Sequence, residues 1–557
     1  MLSSFRRKWP TFLKYAAIGA TAFVFSATPV RAQDAKQQQI DALNSRLEKL
    51  EQQNQKLMQL LEQQKSLPVV VPAGMQPAST ASQPEDVRKV VEKVLKDKDD
   101  AKKAEDDKKK KEAAERGYEV GSDLSASVKW DPSVAGFRLE TPNKDFSLHV
   151  GGRIQTDSVW FTESPAVHPQ NQIGELYDGT YFRRVRIQMD GKFNEVFEYN
   201  FEYALENTQQ LMTGLDEMWV GITQVPYLGS ARIGHLKVPQ GLEGDMVSSS
   251  KAMTFMERAS FTDAFFNNFA PGVWAGNSVL DQNMTWATMF YRTERGSNGA
   301  DFGDGEYAAT GRMTFLPLYE NNGRCLVHLG TASTWRAAEL QGNELSGARS
   351  ITLAARPELR DAQGDFGSNS ALPGDATRMV TTGALACTNA YVNSAEVLAI
   401  MGPLSFQGEW ALTTLTDVVS GGTTQNRSFN GGYAQVSYFL TGENRTYDRR
   451  LGRLGTIAVT PDENFWAVRD EDGTINHGLG AWELAARYSY LNLNDGPVEG
   501  GVMQGLTFGL NWYLSPNLKF QFDYVDNSRW HRNTPGATVG NNPGVVEGFG
   551  IRCQAFF

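Results

Sequence analysis

The sequence predicts an all-β fold: a closed antiparallel transmembrane β-barrel of about 16 strands, with 18 possible, preceded by an α-helical coiled coil and a linker. Two observations lead to the barrel. Residues 117–557 contain 51 of the 53 glycines and 54 of the 60 aromatic residues. Apolar and polar residues alternate there in runs of about ten residues, the length with which a tilted strand crosses a bilayer. A helical membrane protein is excluded, since no apolar run of roughly 20 residues follows the N-terminus.

Composition narrows the possible partners and chemistry. The formal net charge of −10 argues against a nucleic-acid partner, because such proteins usually present a basic surface. Three cysteines are too few for a disulfide scaffold, and a Cys325–Cys387 bridge stays open. The six histidines have no metal-ligand spacing and no hydrolase motif occurs, so we expect no cofactor and no enzyme. A hydrolytic barrel remains an alternative that a lipid or peptide hydrolysis assay would test.

The first 32 residues have the pattern of a secretory signal peptide. Arg6, Arg7 and Lys8 precede an apolar stretch at 15–27, and Ala32 ends a small-residue cleavage motif. An uncleaved anchor helix is the alternative. We therefore expect the mature protein to begin at Gln33, outside the bacterial cytoplasm.

Residues 33–65 are predicted to form a coiled coil. Apolar residues recur there at steps of three and four, as in an a/d seam, and a single helix packed on another element is the alternative. The seam consists of Ile40, Leu43, Leu47, Leu50, Asn54, Leu57 and Leu61. Asparagine at an a position favours a dimer.

Two polar segments follow the coiled coil. Residues 66–84 form a proline-rich linker, and residues 85–116 carry 12 basic and 11 acidic residues, which is typical of a charged helix or a disordered spacer. We expect residues 33–116 to form a periplasmic stalk, with peptidoglycan as a possible partner.

Alternation in residues 117–557 predicts which side chains face lipid. In the segment 518–525, for example, Phe520 and Phe522 alternate with Gln521 and Asp523. A soluble sandwich would alternate too, but aromatic residues gather at the strand ends here and the polar parity carries charges of both signs. The chain stops on Phe557, which resembles the terminal aromatic residue that outer-membrane barrel assembly machinery recognises.

Sixteen strands leave an aqueous channel, so function depends on its narrowest ring. Arg153 shares the polar parity of its strand and is expected to face the lumen, as are Arg184 and Arg186. Arg183 has the opposite parity and reaches the pore only if the strand bends. The loop 240–272 is long enough to fold into the lumen.

Several motifs resemble those of the phosphate-selective porins O and P. They include Gly-Gly-Arg-Ile-Gln at 151–155, Tyr-Phe-Arg-Arg-Val-Arg at 181–186, Tyr-Phe-Leu-Thr-Gly-Glu at 438–443, Gly-Ala-Trp-Glu-Leu at 480–484 and Gly-Leu-Asn-Trp-Tyr at 509–513. The resemblance implies a 16-stranded homotrimeric porin of the bacterial outer membrane, embedded in lipid, whose pore is narrowed by basic residues.

The same resemblance assigns roles to individual residues. Arg153, Arg183 and Arg184 match constriction arginines, and Lys251 matches a pore lysine on an infolded loop. It further matches Lys144 and Lys129 to approach lysines, and Asp216 to a lone carboxylate beside the anion site. The arginine ladder of the family is sparse here, with Arg336, Arg349, Arg356 and Arg360, and Glu198 stands where the family has a lysine.

The sequence thus predicts a channel for small anions, with phosphate or polyphosphate favoured. Two alternatives remain: a general porin without phosphate preference, and a tether to the cell wall with a secondary pore. Residues 117–557 carry a net charge of −16, which by itself would suit cations. An anion channel therefore requires the acidic excess to lie away from the constriction.

Overall fold

The computed structural model describes residues 126–131, 134, 136–167, 176–205, 215–246, 251–293, 306–340, 349–360, 378–455, 459–469, 474–533 and 542–557. The predicted signal peptide, coiled coil, linker and spacer lie outside this part and stay predictions. None of the helices in the described part has the length and apolar character needed to cross a membrane.

Strands make up nearly all of the described structure. In chain order they are β1 (Ser127–Asp131), β2 (Gly136–Glu140), β3 (Phe146–Glu163), β4 (Gly179–Phe193), β5 (Phe197–Ala204), β6 (Leu215–Val225), β7 (Gly229–Lys237), β8 (Phe269–Val279), β9 (Met284–Arg292), β10 (Tyr307–Glu320), β11 (Cys325–Ala337), β12 (Glu339–Leu340), β13 (Arg349–Ala355), β14 (Val380–Ala386), β15 (Asn389–Met401), β16 (Leu404–Ser420), β17 (Thr423–Phe439), β18 (Tyr447–Asp448), β19 (Arg453–Leu454), β20 (Trp466–Arg469), β21 (Ile475–Gly478), β22 (Ala481–Asp495), β23 (Val498–Ser515), β24 (Leu518–Arg532) and β25 (Gly544–Phe556). The helical elements are a turn at Gly241–Met246, helix α1 (Ser260–Phe265) and a 3₁₀ turn at Asn321–Gly323.

Sixteen of these strands close into one antiparallel barrel. Each of β3–β11, β15–β17 and β22–β25 pairs with its neighbours in chain order, and β25 pairs back onto β3, with Phe549 opposite Trp160. Strands β1 and β2 form a hairpin whose second strand pairs with the start of β3. The prediction of about 16 strands is confirmed for the described part of the chain, and 18 is not found.

The alternation along the strands sorts side chains as the sequence predicts. On β24, Lys519, Gln521 and Asp523 are buried inside the barrel, whereas Tyr524 stays 41% exposed on the outer face, as does its β23 partner Phe508 at 53%. A barrel in lipid keeps its apolar side chains outside, where the acyl chains cover them. The buried polar side chains therefore line the lumen.

The two ends of the barrel differ in their connections. Among the described connections, six of two to four residues lie at one end, which we call the turn end: 194–196, 226–228, 280–283, 321–324, 402–403 and 516–517. The chain terminus at Phe557 lies there too. Most longer connections lie at the opposite, loop end. One long connection, 440–480, nevertheless starts from the turn end.

Three of the long connections fold into the lumen and contact its wall. The inner loop, residues 238–268 between β7 and β8, accepts hydrogen bonds at the Thr254 carbonyl from Asn511 (2.8 Å) and Gln521 (3.0 Å). Its bounds differ slightly from the predicted 240–272, since Lys237 already pairs with Phe269. The second insertion, residues 338–388, and the turn-end insertion, residues 440–480, are described in part.

Apolar clusters anchor these insertions. Helix α1 of the inner loop buries Phe261 and Phe265 in a cluster that also contains Phe429 of the wall and Leu353 of the second insertion. Packing of such side chains removes apolar surface from the water of the lumen, at about 25 cal/mol per Å². The channel wall is thus thickened on the side of β16–β24.

All three cysteines lie in the described part and are free. Strand β11 begins with Cys325 at the turn end, whereas Cys387 lies near the loop end, since it directly precedes the loop-end start of β15. A disulfide requires Cα atoms no more than about 7 Å apart. The bridge that the sequence left open is therefore absent.

Candidate pore constriction

A β-bulge lets two adjacent arginines of β4 face the lumen together. Gln155 pairs with Arg184, but the next pair is Thr156 with Phe182, so that Arg183 is the extra residue. A bulge of this kind bends the strand and redirects a side chain. It supplies the bend that the sequence required for Arg183 to point inward.

Arg183 joins the barrel wall to the inner loop. Its Nε and Nη2 donate to the two carboxylate oxygens of Glu257, at 2.9 and 3.2 Å. Arg552 of β25 donates to the same Glu257 (2.9 Å) and forms a two-pronged bond with Asp157 (2.7 Å each). Burial alone would raise the pKa of Glu257, but the charges of Arg183 and Arg552 hold it well below the ordinary value. Glu257 is therefore an anion at neutral pH.

Arg184 lies deeper in the wall than Arg183. Its Nη1 donates to the side-chain oxygen of Gln155 at 3.0 Å. Gln155 is fully buried and donates in turn to Gln554, so it does not reach the lumen surface. Arg184 itself is 8% exposed. It contributes positive charge to this region from behind the first layer of side chains.

Arg153 and Arg186 share one carboxylate. They lie directly opposite each other in the β3–β4 register, and both donate to the same oxygen, Oε1, of Glu202 on β5. The Arg186 bond measures 2.9 Å. Of the arginines that the sequence predicted for the pore, Arg153, Arg183 and Arg186 thus contact carboxylates, whereas Arg184 donates to Gln155.

Lys251 of the inner loop approaches the same group. Its ammonium lies 4.8 Å from the ring centroid of Phe556, the inward-facing penultimate residue, and 3.4 Å from the Val134 carbonyl. Burial lowers the pKa of Lys251 to about 8, and Arg153 adds to the shift while Glu202 opposes it. Lys251 consequently titrates close to the physiological range.

A cavity of about 880 Å³ is lined by Arg153, Arg186, Glu202 and Lys251 among other residues. Of the described residues that line it, ten are basic and seven acidic. They are Arg138, Lys144, Arg153, Arg186, Lys192, Arg232, Lys237, Lys251, Arg450 and Arg453, with Asp131, Glu140, Asp190, Glu195, Glu198, Glu202 and Glu217. The local excess is positive although the barrel as a whole is acidic.

The remaining predicted residues are spread more widely. Lys144 lines the cavity, whereas Lys129 is exposed on the β1–β2 hairpin, where it pairs with Glu140. Asp216 belongs to β6, and its side chain lies outside the described part. Arg183 does not line the cavity, since it belongs to the Glu257 cluster, which consists of Glu257, Arg183, Arg552 and Asp157, and Arg184 does not line the cavity either.

Arg487 of β22 connects both insertions from the loop end to the wall. Its guanidinium donates to Glu358 of the second insertion (2.7 and 3.1 Å) and to the Glu257 carbonyl of the inner loop (3.0 Å), and it lies 4.6 Å from the Phe255 ring centroid. Arg487 and Glu358 are both buried. These contacts fix the position of the inner loop.

Sequence reasoning did not assign roles to several residues that build this site. They are Asp157, Glu202, Glu257, Glu358, Arg487 and Arg552. The polar parity of their strands places Asp157, Glu202, Arg487 and Arg552 inside the barrel, but it does not give their partners. Glu257 and Glu358 lie on irregular segments, where no periodicity reports direction.

Comparison with known proteins agrees with this architecture. A family model described as "Phosphate-selective porin O and P" matches residues 149–548. Porin O of Pseudomonas aeruginosa is 26% identical over 463 residues, covering 78% of this chain and 93% of that protein. An uncharacterized protein of Caulobacter vibrioides is 27% identical over 389 residues, covering 68% of each chain.

Solved structures resemble the chain more distantly. The trimer form of OmpT, an outer membrane protein of Vibrio cholerae, has 9% sequence identity and a TM-score of 0.43, covering 74% of this chain and 99% of that one. OmpF of Salmonella typhi in complex with daunomycin has 11% identity and a TM-score of 0.38, covering 74% of this chain and 98% of that one.

Proposed function

The chain belongs to the phosphate-selective porin O and P family and is an outer-membrane porin, and from that membership we propose that it conducts small anions, with phosphate preferred. The observation that supports this proposal is the charge of the cavity. Its described lining has ten basic against seven acidic residues, inside a barrel whose net charge is −16. The acidic excess therefore lies outside the cavity, as an anion channel requires.

The physical basis is replacement of water by fixed cations. An anion entering the narrow part of the lumen loses hydration, and the guanidinium groups of Arg153 and Arg186 with the ammonium of Lys251 offer charge-assisted hydrogen bonds in exchange. Phosphate has more acceptor oxygens than chloride and gains more from such donors. Conduction further requires that the anion leaves again, so the binding must stay weak.

Orientation follows from the connections. Barrels of this class have short periplasmic turns and longer extracellular loops, which assigns the turn end to the periplasm. The inner loop and the second insertion then enter the pore from outside, and the turn-end insertion enters from the periplasm. An anion taken up from the medium would pass the Glu257 cluster first and the cavity afterwards.

The first prediction tests the anion site. Arg153→Ala and Lys251→Ala are each expected to raise the half-blocking phosphate concentration about tenfold or more, because one hydrogen bond to a charged group contributes about 1.5–3 kcal/mol. The measurement is chloride current through single channels in a planar bilayer while inorganic phosphate is added.

Arg349→Ala is the matched control, since Arg349 donates to the Ala338 carbonyl and does not line the cavity. It removes the same charge and should leave the block unchanged. Equal weakening by all three substitutions would mean that only net charge matters. Absence of block in the wild type, or cation selectivity, would contradict the phosphate channel.

A general porin is the second candidate, and a specific observation favours it. Glu202 and Glu257 already form ion pairs with three of the predicted pore arginines: Arg153, Arg186 and Arg183. Such pairing reduces the positive charge that a passing anion meets, and a channel in which this reduction dominates would show little preference among small solutes. The same bilayer experiment separates the two candidates.

We further propose a homotrimer in which lipid covers the remaining outer surface. The support is family membership together with the apolar outer face, on which Val220, Ile233, Val273 and Phe290 are exposed. Assembly through the terminal Phe557 remains a proposal, as does the trimer against the dimer that Asn54 favours.

Deletion of residues 33–116 tests the proposed stalk. With the first 32 residues retained, the truncated protein should lose binding to purified peptidoglycan sacculi but keep the conductance of the full chain, since its barrel is intact. Sedimentation with sacculi and bilayer recording measure the two properties. A truncated protein that still sediments would locate the attachment in the barrel, and a full chain that does not sediment would exclude attachment.

A further inference from the structure

We infer that Glu202 is a resident competitor for the conducted anion: its carboxylate occupies the Arg153–Arg186 site and sets how weakly a mobile anion binds there. The inference rests on the proposed anion channel and deepens it. It identifies a specificity-determining residue of opposite charge from the residues expected in such a pore.

The backbone register explains why this site needs an anion. Arg153 of β3 and Arg186 of β4 are direct cross-strand partners. Two like charges at directly opposite positions destabilise a sheet unless a counter-ion bridges them. Glu202 pairs with Gln188 in the β4–β5 register, two residues along from the Arg186–Ala204 pair, so its side chain reaches diagonally to the two guanidinium groups.

The electrostatic surroundings of Glu202 are those of a bound anion. Four cationic groups act on its carboxylate: Arg153, Arg186, Lys237 and Lys251. Both arginines bind the same oxygen. Glu202 is 6% exposed but lines the cavity, so that a small anion in the lumen could reach the same donors.

Glu198, another carboxylate that lines the cavity, has different surroundings. Glu198, four residues earlier on the same face of β5, accepts from Arg232 at 2.8 Å. The Arg232 guanidinium lies 4.1 Å from the ring centroid of Trp219 and 4.9 Å from that of Trp274. These two rings hold Arg232 whether or not an anion is near, so Glu198 is a local counter-ion of one immobilised arginine.

During conduction the Glu202 carboxylate and the mobile anion compete for the guanidinium groups of Arg153 and Arg186. A mobile anion gains the two guanidinium groups only by displacing the Glu202 carboxylate, which remains tethered and returns when the anion leaves. Tethering gives the carboxylate a high effective concentration. Binding is thereby weakened and release is accelerated, as a conducting site requires.

Glu202→Gln tests this inference. The amide keeps nearly the same shape but binds guanidinium groups far more weakly, so inorganic phosphate should block chloride current at a concentration about tenfold lower than in the wild type. Glu198→Gln is the control, since it adds the same charge to the same cavity, and it should shift the half-blocking concentration less than twofold. Glu202→Asp retains the charge on a shorter side chain and should give an intermediate value. If Glu202→Gln fails to fold, the aspartate variant carries the test.

The outcomes separate this inference from the proposed function. A wild type that phosphate blocks, together with a Glu202→Gln channel that is blocked no more tightly, would overturn the competitor and leave the phosphate channel intact. Equal effects of Glu198→Gln and Glu202→Gln would also overturn it, because the net charge of the cavity would then explain the tighter block. Block that appears only in Glu202→Gln would support the competitor and contradict phosphate preference in the wild type. Block in neither protein would overturn both.

Discussion

Arg487→Met is expected to lower the free energy of unfolding by about 3–5 kcal/mol, which is the usual cost of removing one partner of a buried ion pair. The substitution leaves the Glu358 carboxylate buried without its closest cation, since the two groups lie 2.7 Å apart and neither is exposed. Unfolding in guanidinium chloride, followed by tryptophan fluorescence in detergent, measures the change.

The same substitution is expected to increase conductance. Arg487 holds both the inner loop and the second insertion against β22, through the Glu257 carbonyl and the Glu358 carboxylate. Once it is removed, these segments lose a shared attachment and should narrow the lumen less. Single-channel recordings should show a larger and noisier open current.

Two further variants make this prediction specific. Adding Glu358→Gln to Arg487→Met removes the unpaired charge and should recover more than half of the lost stability. Arg427→Met breaks a pair with Asp495, whose side chain is 34% exposed, and exposed pairs contribute only about 0–1 kcal/mol. A double variant as unstable as Arg487→Met would show that packing, rather than the buried charge, carries the effect.

Anion selectivity is expected to fall as the pH rises from 7 to 9. Burial lowers the pKa of Lys251 to about 8, so its cationic share falls from about nine-tenths at pH 7 to about one-tenth at pH 9. The cation is present below the pKa and lost above it, and the selectivity for chloride over potassium should follow. Reversal potentials in a potassium chloride gradient measure this ratio without the titration of phosphate itself.

Lys251→Arg provides the matched control. A guanidinium stays charged throughout this range, so the variant should keep its chloride selectivity at pH 9. Lys251→Gln should show the low selectivity at every pH. A wild-type response that persists in both variants would assign the titration to another group. The charges that act on the pKa of Lys251 are those of Arg153, Glu202 and Asp190.

Much of the barrel was predictable because its strands obey a strict two-residue period in lipid. Apolar residues such as Phe508 and Phe522 must face the bilayer, which forces neighbours such as Gln521 and Asp523 into the lumen. The strand count of 16 followed from length and was confirmed by the closure of β25 onto β3. The inner loop was predicted as well, since its length exceeds what a turn needs.

The site was less predictable, because its partners are distant in sequence. Arg183 depended on a bend, and the bulge that provides it follows from the local pairing of β3 with β4 rather than from residue types. Glu257 binds Arg183 of β4 and also Arg552 of β25, which lies 295 residues after Glu257 in the chain. No sequence pattern predicted that the turn-end insertion would fold into the lumen. In the structure it does so, and the Arg312 guanidinium of the wall donates to its Gly452 carbonyl at 2.8 Å.

The sequence by itself determined that the chain has an outer-membrane barrel, which parity faces water, and that Arg153 and Arg186 belong to the lumen; Lys251 was assigned to the pore by its resemblance to the family. Alternation suffices for this because lipid and water impose opposite requirements on successive residues. Only the tertiary structure decided which of these charges meet. Ion pairing depends on register and on the path of the infolded segments, and this is why Glu202 stands between the two arginines and why the cavity is basic within an acidic barrel.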